Sequence, residues 1–199
     1  MAKDTDQEFF IRSRNARKPP SGREGDRDSG GRSLRNFFAL EKTMNIRRAT
    51  EKDIDGINKL LYQVHRIHAE GRPDIFRLGN KKYNDEELCA IIADDNTPIF
   101  VAVDDEEEVL GYAFCIYEEV KNNASLCDRK TVYIDDLCVD AAERGQHIGT
   151  ALYEYVVAES RKEGCQAITL NVWCLNEGAM RFYEKLGMKP LKVVMEEIL

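Results

Sequence analysis

At 199 residues with 43% hydrophobic side chains, the chain is long enough to enclose one sizeable core and too short for two full domains to be expected. Its net charge of -7 argues against a general nucleic-acid binder, which needs a basic excess to neutralise phosphates. No run of about 18 apolar residues and no apolar signal core stand in it, so neither a membrane span nor a secretory leader is expected. The six cysteines form no C-x-x-C pair, and all but Cys127 lie in apolar or helical patterns, which points to reduced thiols and a cytoplasmic setting.

Residues 1–43 carry Pro19, Pro20, Gly22, Gly25, Gly30 and Gly31 and lack sustained periodicity, so they read as a disordered extension or leader before Met44. They hold 10 of the 29 basic and 7 of the 36 acidic side chains, which leaves the candidate domain, 44–199, at about -10. Residues 45–48 form a short strand. Thr50 is the N-cap of a helix bearing Ile54, Ile57, Leu61, Val64 and His68, which Gly71, Arg72 and Pro73 end. Asn84 opens a second helix with Asp85, Glu86 and Glu87 in its first turn and Leu88, Ile91 and Ile92 on its apolar face. Residues 99–103 and 109–117 alternate as strands, joined as a hairpin by the acidic turn 104–108. A third long strand spans 131–139. The stretch ERGQHIGTAL at 143–152 then leads into a helix from about Gly149 to Glu163, which Gly164 stops. A strand at 167–173, a helix at 177–186 capped by Asn176 and closed by Gly187, and a last strand at 191–198 complete the chain. Hairpins combined with a strand-helix-strand unit predict an α/β domain: a mixed, mostly antiparallel central sheet with helices on both faces.

Several residues in this frame carry chemistry. The turn holding Arg144 and Gly145 presents the first amides of the following helix, which lack intrahelical partners and sit at the positive end of the helix dipole. Arg144 adds a charge-assisted donor, and glycine lets a pyrophosphate approach the backbone. Taken alone, such a turn is more often an ordinary strand-to-helix connection. Asp135 and Asp136 stand side by side in an apolar strand, where alternation sends them to opposite faces and each buried charge needs a reason. Tyr183 belongs to a stripe with Ala179, Phe182 and Leu186, which reads as packing. His65, His68 and His147 show no carboxylate spacing, so no metal site is expected. The stretch 72–76 reads as a proline turn that tucks Phe76 into the core.

The segments YIDDLCVDAAERGQHIGTALYEYV and TLNVWCLNEGAMRFYEKLGM together resemble the two signature blocks of the Gcn5-related N-acetyltransferase family. The first block, Q/R-x-x-G-x-G/A, is matched by Arg144, Gly145, Gln146, His147, Ile148 and Gly149, with His147 where the pattern has its central glycine. The second is matched by Asn176, Ala179, Phe182, Tyr183 and Gly187, and the usual opening by Ile46, Arg47, Ala49 and Thr50. The resemblance covers 44–199. If position 147 needs a positive φ, histidine is among the non-glycine residues found there more often, and no catalytic role is assigned to it.

This resemblance implies the acyl-CoA N-acyltransferase fold and an acetyl-CoA-dependent N-acetyltransferase. The acetyl group would pass to a primary amine of a small cationic molecule or a protein by direct attack in a ternary complex, without nucleic acid, membrane or metal. Arg144 and the amides of Gly145, Gln146, His147, Ile148, Gly149 and Thr150 would hold the pyrophosphate. Leu137, Cys138 and Val139 would pair with the pantetheine arm and polarise the acetyl carbonyl, and Asn176, Ala179 and Phe182 would complete the cofactor site. Tyr183 would protonate the departing thiolate. The stretch Tyr133-Ile134-Asp135-Asp136-Leu137 looks like the corresponding strand of spermidine/spermine acetyltransferases, which makes Asp135 the group that orients or deprotonates the amine and leaves Asp136 to bond a loop. The segment 72–76 falls where the family varies its acceptor cover. Homodimers are common in the family, and no interface can be read here. The alternative from a different class is a noncatalytic acyl-CoA-binding or sensing module.

Overall fold

Residues 43–199 are described in the computed structural model of the chain, so the extension expected at 1–43 lies outside the described residues apart from Thr43. Among the described residues five strands and four α-helices follow one another: β1 (Asn45–Arg48), α1 (Ile54–Gly71), α2 (Asp85–Ala93), β2 (Ile99–Val103), β3 (Val109–Val120), β4 (Arg129–Val139), α3 (Ile148–Lys162), β5 (Ala167–Leu170) and α4 (Glu177–Lys185). The strands lie in sequence order in one sheet. Every neighbouring pair is antiparallel except β4 and β5, which α3 connects as a parallel unit.

Period-2 side chains divide this sheet between two cores. On β2, Ile99, Val101 and Val103 join Ile57, Leu60, Leu61, Val64 and Leu88 of α1 and α2. Phe100 and Ala102 face the other way, toward Ile148, Leu152 and Val156 of α3. Each such buried aliphatic side chain contributes about 1.5–3 kcal/mol relative to exposure. The sheet is therefore the middle of three layers, as expected.

Local signals fix the entries to the helices. Asn84 caps α2: its side chain accepts from the Glu87 amide at 2.9 Å while Glu87 accepts from the Asn84 amide at 2.8 Å. Before α1, Thr50 opens a short turn at Glu51–Asp53 instead of the helix itself. Asp53 there accepts from the Thr50 amide at 2.7 Å and from the Arg47 guanidinium at 2.8 and 2.9 Å, which ties the start of α1 to β1.

Two expectations from the sequence fail at the C-terminal end. The strand read over 167–173 stops at Leu170, which leaves Cys174 exposed where a buried thiol was expected. The strand expected at 191–198 does not form, and Leu191, Val193, Val194, Met195 and Ile198 are exposed. Three consecutive apolar residues at 193–195 break the alternation of a half-buried strand.

The feature that shapes the site lies in β4. Phe114 pairs with Asp136 and Cys115 with Ile134, so Asp135 is an extra residue without an opposite number, a β-bulge. Val132, Ile134, Leu137 and Val139 consequently share the α3-side core although Ile134 and Leu137 are three apart. The expected opposite orientation of the two aspartates is thereby overturned. Asp135 meets Tyr83 and Asp136 meets Tyr112, and both tyrosines pack on the α1 and α2 side.

Candidate functional site

The register between β4 and β5 ends at the Ile134–Leu170 pair, immediately before the bulge. Beyond it the two parallel strands part. The Asp140 amide donates to the Leu110 carbonyl at 2.8 Å, so by antiparallel alternation Cys138 turns its backbone groups toward β3 while Leu137 and Val139 turn theirs toward the gap. Of the three β4 residues expected to line a ligand edge, two aim their amides there; Cys138 does not.

At the end of this edge Gln63 of α1 fastens the chain. Its side chain donates to the Val139 carbonyl at 3.3 Å and accepts from the Ala141 amide at 3.2 Å. Asp140 caps the turn Ala141–Glu143 through the Ala142 amide at 3.0 Å. Burial works to raise the Asp140 carboxyl, but Lys59 at 2.7 Å and the Ala142 amide outweigh it and hold the group below the usual carboxylate range.

The loop then delivers α3 with its N-terminus uncapped. Gly145 has φ of +87°, and a Cβ placed there would meet nothing within 4 Å. His147 is the N-cap residue with φ of +62°, a left-handed conformation, and its exposed side chain caps nothing. The first α-helical bond at this end runs from Ala151 to His147, at 3.0 Å, so the amides of Ile148, Gly149 and Thr150 precede the ladder. Arg144 turns back onto β4, donating to the Val139 carbonyl at 3.4 Å, and its burial lowers its pKa. Gln146 bonds Glu143 at 2.7 Å at the surface.

Across the gap, on the α3 side, α4 brings Asn176, Ala179, Phe182 and Tyr183 together. Asn176 caps α4 through the Ala179 amide at 3.0 Å. Its Nδ2 is buried without a hydrogen-bond partner among the described residues, a donor suited to a ligand carbonyl. Tyr183 is 3% exposed, its ring edge-on to Phe182 at 5.0 Å and to Tyr153 at 6.4 Å.

The opposite side of the sheet carries the carboxylates. Asp135 Oδ2 accepts from Lys82 at 2.7 Å and from the Tyr83 hydroxyl at 2.8 Å. Asp136 Oδ2 accepts from the Tyr112 hydroxyl of β3 at 2.8 Å, a strand partner in place of the loop partner expected. Oδ1 of each is buried without a hydrogen-bond partner among the described residues. Burial raises the Asp136 carboxyl to about 7 against the opposing pull of Lys82 and Tyr112. Burial and the nearby Asp135 push the Tyr83 hydroxyl well up, so it stays a donor. His68 is lowered by burial to about 3 and is neutral near pH 7. Phe76 packs on His68 at 4.9 Å and on Trp173 at 5.8 Å, so the 72–76 turn is tucked in and also bridges α1 to the segment after β5. Arg72 lies 5.7 Å from the Trp173 ring and pairs with Asp74 and Glu196.

Gln63, Lys82, Tyr83 and Tyr112 were not singled out in the sequence. The bulge did leave a signal: the apolar positions Val132, Ile134, Leu137 and Val139 skip one step of the alternation. Among the described residues no group of three or more His, Cys, Asp or Glu side chains is placed to hold a metal ion, and no helix is long and apolar enough to cross a membrane.

A sheet divided after a bulge, with an uncapped helix start at the end of the divided edge, defines a domain of the acyl-CoA N-acyltransferase type. Comparison with known proteins makes the assignment specific. The profile of the Acetyltransferase (GNAT) family matches residues 61–188. An uncharacterized N-acetyltransferase of Methanocaldococcus jannaschii is 28% identical over 157 residues, covering 79% of this chain and 66% of that protein, just under two thirds of its length. The crystal structure of a single-residue mutant of the BH1408 protein from Bacillus halodurans superimposes with a TM-score of 0.75 at 34% identity, over 78% of this chain and 99% of that one. Glucosamine-6-phosphate N-acetyltransferase from Arabidopsis thaliana shares the fold, with a TM-score of 0.58 at 22% identity over 79% of this chain and 99% of that one. The chain belongs to the acetyltransferase (GNAT) family.

Proposed function

We propose that the domain transfers the acetyl group of acetyl-CoA to a primary amine by direct attack in a ternary complex, in a reducing cytoplasm where its free thiols persist. The observation that carries this reading is the juxtaposition of the freed β4 edge with the uncapped start of α3. Amides at 145–150 take the pyrophosphate. Leu137 and Val139 pair with the pantetheine arm and donate to the acetyl oxygen, aimed in advance at charge that develops only as the amine attacks. Asn176 donates its buried amide nitrogen to the same arm, beside Ala179 and Phe182.

The two sides of the sheet then divide the proton chemistry. A protonated amine is not a nucleophile, so one proton must leave on the acceptor side and one must reach the departing sulfur. Asp135 orients the amine. Asp136 takes the proton, because a carboxyl that titrates near neutrality both accepts it and releases it again. Tyr183, reached from α4, protonates the thiolate. No metal is needed in this scheme.

Thiol release from acetyl-CoA, followed across a panel of primary amines, tests the reading. Acceptor-dependent release supports the enzyme; CoA binding without release by any amine supports the sensing module instead. Gly149→Glu should abolish CoA binding in calorimetry without unfolding the protein, and unchanged titration would refute the loop assignment.

A further inference from the structure

Lys82, in the irregular segment between α1 and α2, sends a primary ammonium into the sheet. Its Nζ lies 2.7 Å from Asp135 Oδ2 and 5.4 Å from the centroid of Tyr83, whose hydroxyl donates to the same oxygen at 2.8 Å. Asp135 is 1% exposed, and its Oδ1 is buried without a hydrogen-bond partner among the described residues. The chain therefore already binds a primary ammonium, through a carboxylate, a phenol and an aromatic face, at the residue assigned above to orient the acceptor.

We infer that Lys82 occupies the position of the acceptor's ammonium as an internal substitute, and that a primary-amine acceptor binds by displacing it. The inference rests on the acetyltransferase reading of Asp135. Exchanging one ammonium for another strands no buried charge, whereas removing Lys82 without replacement leaves the buried carboxylate with the Tyr83 hydroxyl but without its cation. With Lys82 in place Asp135 is neutralised, and a second cation gains nothing there. A primary ammonium reproduces both the hydrogen bond and the compact charge of the lysine head, while a quaternary ammonium has no donor to offer. Lys82 is on this account a specificity residue. Any acceptor's apparent affinity is lowered by the fraction of molecules in which Lys82 already fills the position.

The test uses the full chain with Lys82→Ala, and ethylammonium as the probe. Thermal unfolding should show the variant destabilised and restored by ethylammonium in a saturable manner, with no restoration by tetramethylammonium at the same ionic strength. With acetyl-CoA present, the variant should form N-ethylacetamide with kcat/KM about tenfold or more above that of the wild type. Lys82→Met, which keeps the aliphatic stem, should give the same gain if the alanine variant folds poorly. Where the wild type acetylates amines but neither variant gains on ethylamine, Lys82 is a structural ion pair and the inference is overturned. Where neither wild type nor variants release thiol with any amine, the acetyltransferase reading itself fails and takes the inference with it.

Discussion

Replacing Asp136 by asparagine isolates one buried ionisation from everything else in the protein. The carboxyl is 3% exposed, and burial lifts its pKa from 3.8 to about 7, more strongly than Lys82 and the Tyr112 hydroxyl pull it down. The folded protein thus keeps this proton up to about pH 7, while the unfolded chain gives it up near pH 3.8. Between these values the native state binds more protons, so stability falls as pH rises through the window. At 1.36 kcal/mol per tenfold change, the whole loss is about 4 kcal/mol. Asparagine removes the ionisation and keeps an oxygen for the Tyr112 hydroxyl to donate to. Urea unfolding of both proteins from about pH 4.5 to about pH 8 should give a variant-minus-wild-type free energy that climbs by about 1 kcal/mol per pH unit and levels off above neutrality. Asp53 and Asp140, whose carboxyls are depressed, slope the other way but occur in both proteins and cancel. A difference that is flat or falling with pH would refute the placement of Asp136 as a buried group titrating near neutrality.

His147→Gly should stabilise the fold by about 1 kcal/mol in chemical denaturation, because φ of +62° is strained for histidine and free for glycine, and CoA affinity should be retained. Gln63→Ala removes the clamp on the Val139 carbonyl and the Ala141 amide; a loss of about 1–2 kcal/mol of stability should accompany weaker CoA binding by calorimetry. Tyr183→Phe should lower turnover while CoA affinity stays nearly intact, and an unchanged rate would return Tyr183 to a packing role.

The strands and helices up to α4 were legible because each carries its own period, and the entries to α2 and α4 carry their own caps in Asn84 and Asn176. The motif's glycine position raised the condition of a positive φ at residue 147, and the backbone there meets it with φ of +62°. The last strand was not, since a run of β-formers becomes a strand only when an edge accepts its backbone groups, and that edge is a tertiary fact. The same holds for the acceptor side. Lys82 and Asp135 are 53 residues apart, and Tyr112 and Asp136 are 24 apart, so nothing local distinguishes these partners from other lysines and tyrosines. The orientation of the aspartates lies between these cases. The two-residue interruption between Ile134 and Leu137 is visible in the sequence, but it becomes a bulge only through the pairing of β4 with β3.

That single extra residue in β4 has a consequence for how the chain tolerates change. Loss of one codon at position 135 would let Asp136 follow Ile134 directly opposite the Phe114–Cys115 step, and the ladder between β3 and β4 would run without interruption. Such a deletion is expected to leave a more regular sheet, with every apolar side chain of β4 still on its own side. What it removes is the irregularity at which β4 leaves β5 and at which two acids come to lie side by side. A more regular strand would thus lack the irregularity from which the proposed site is built, along with the bonds of Asp135 to Lys82 and Tyr83.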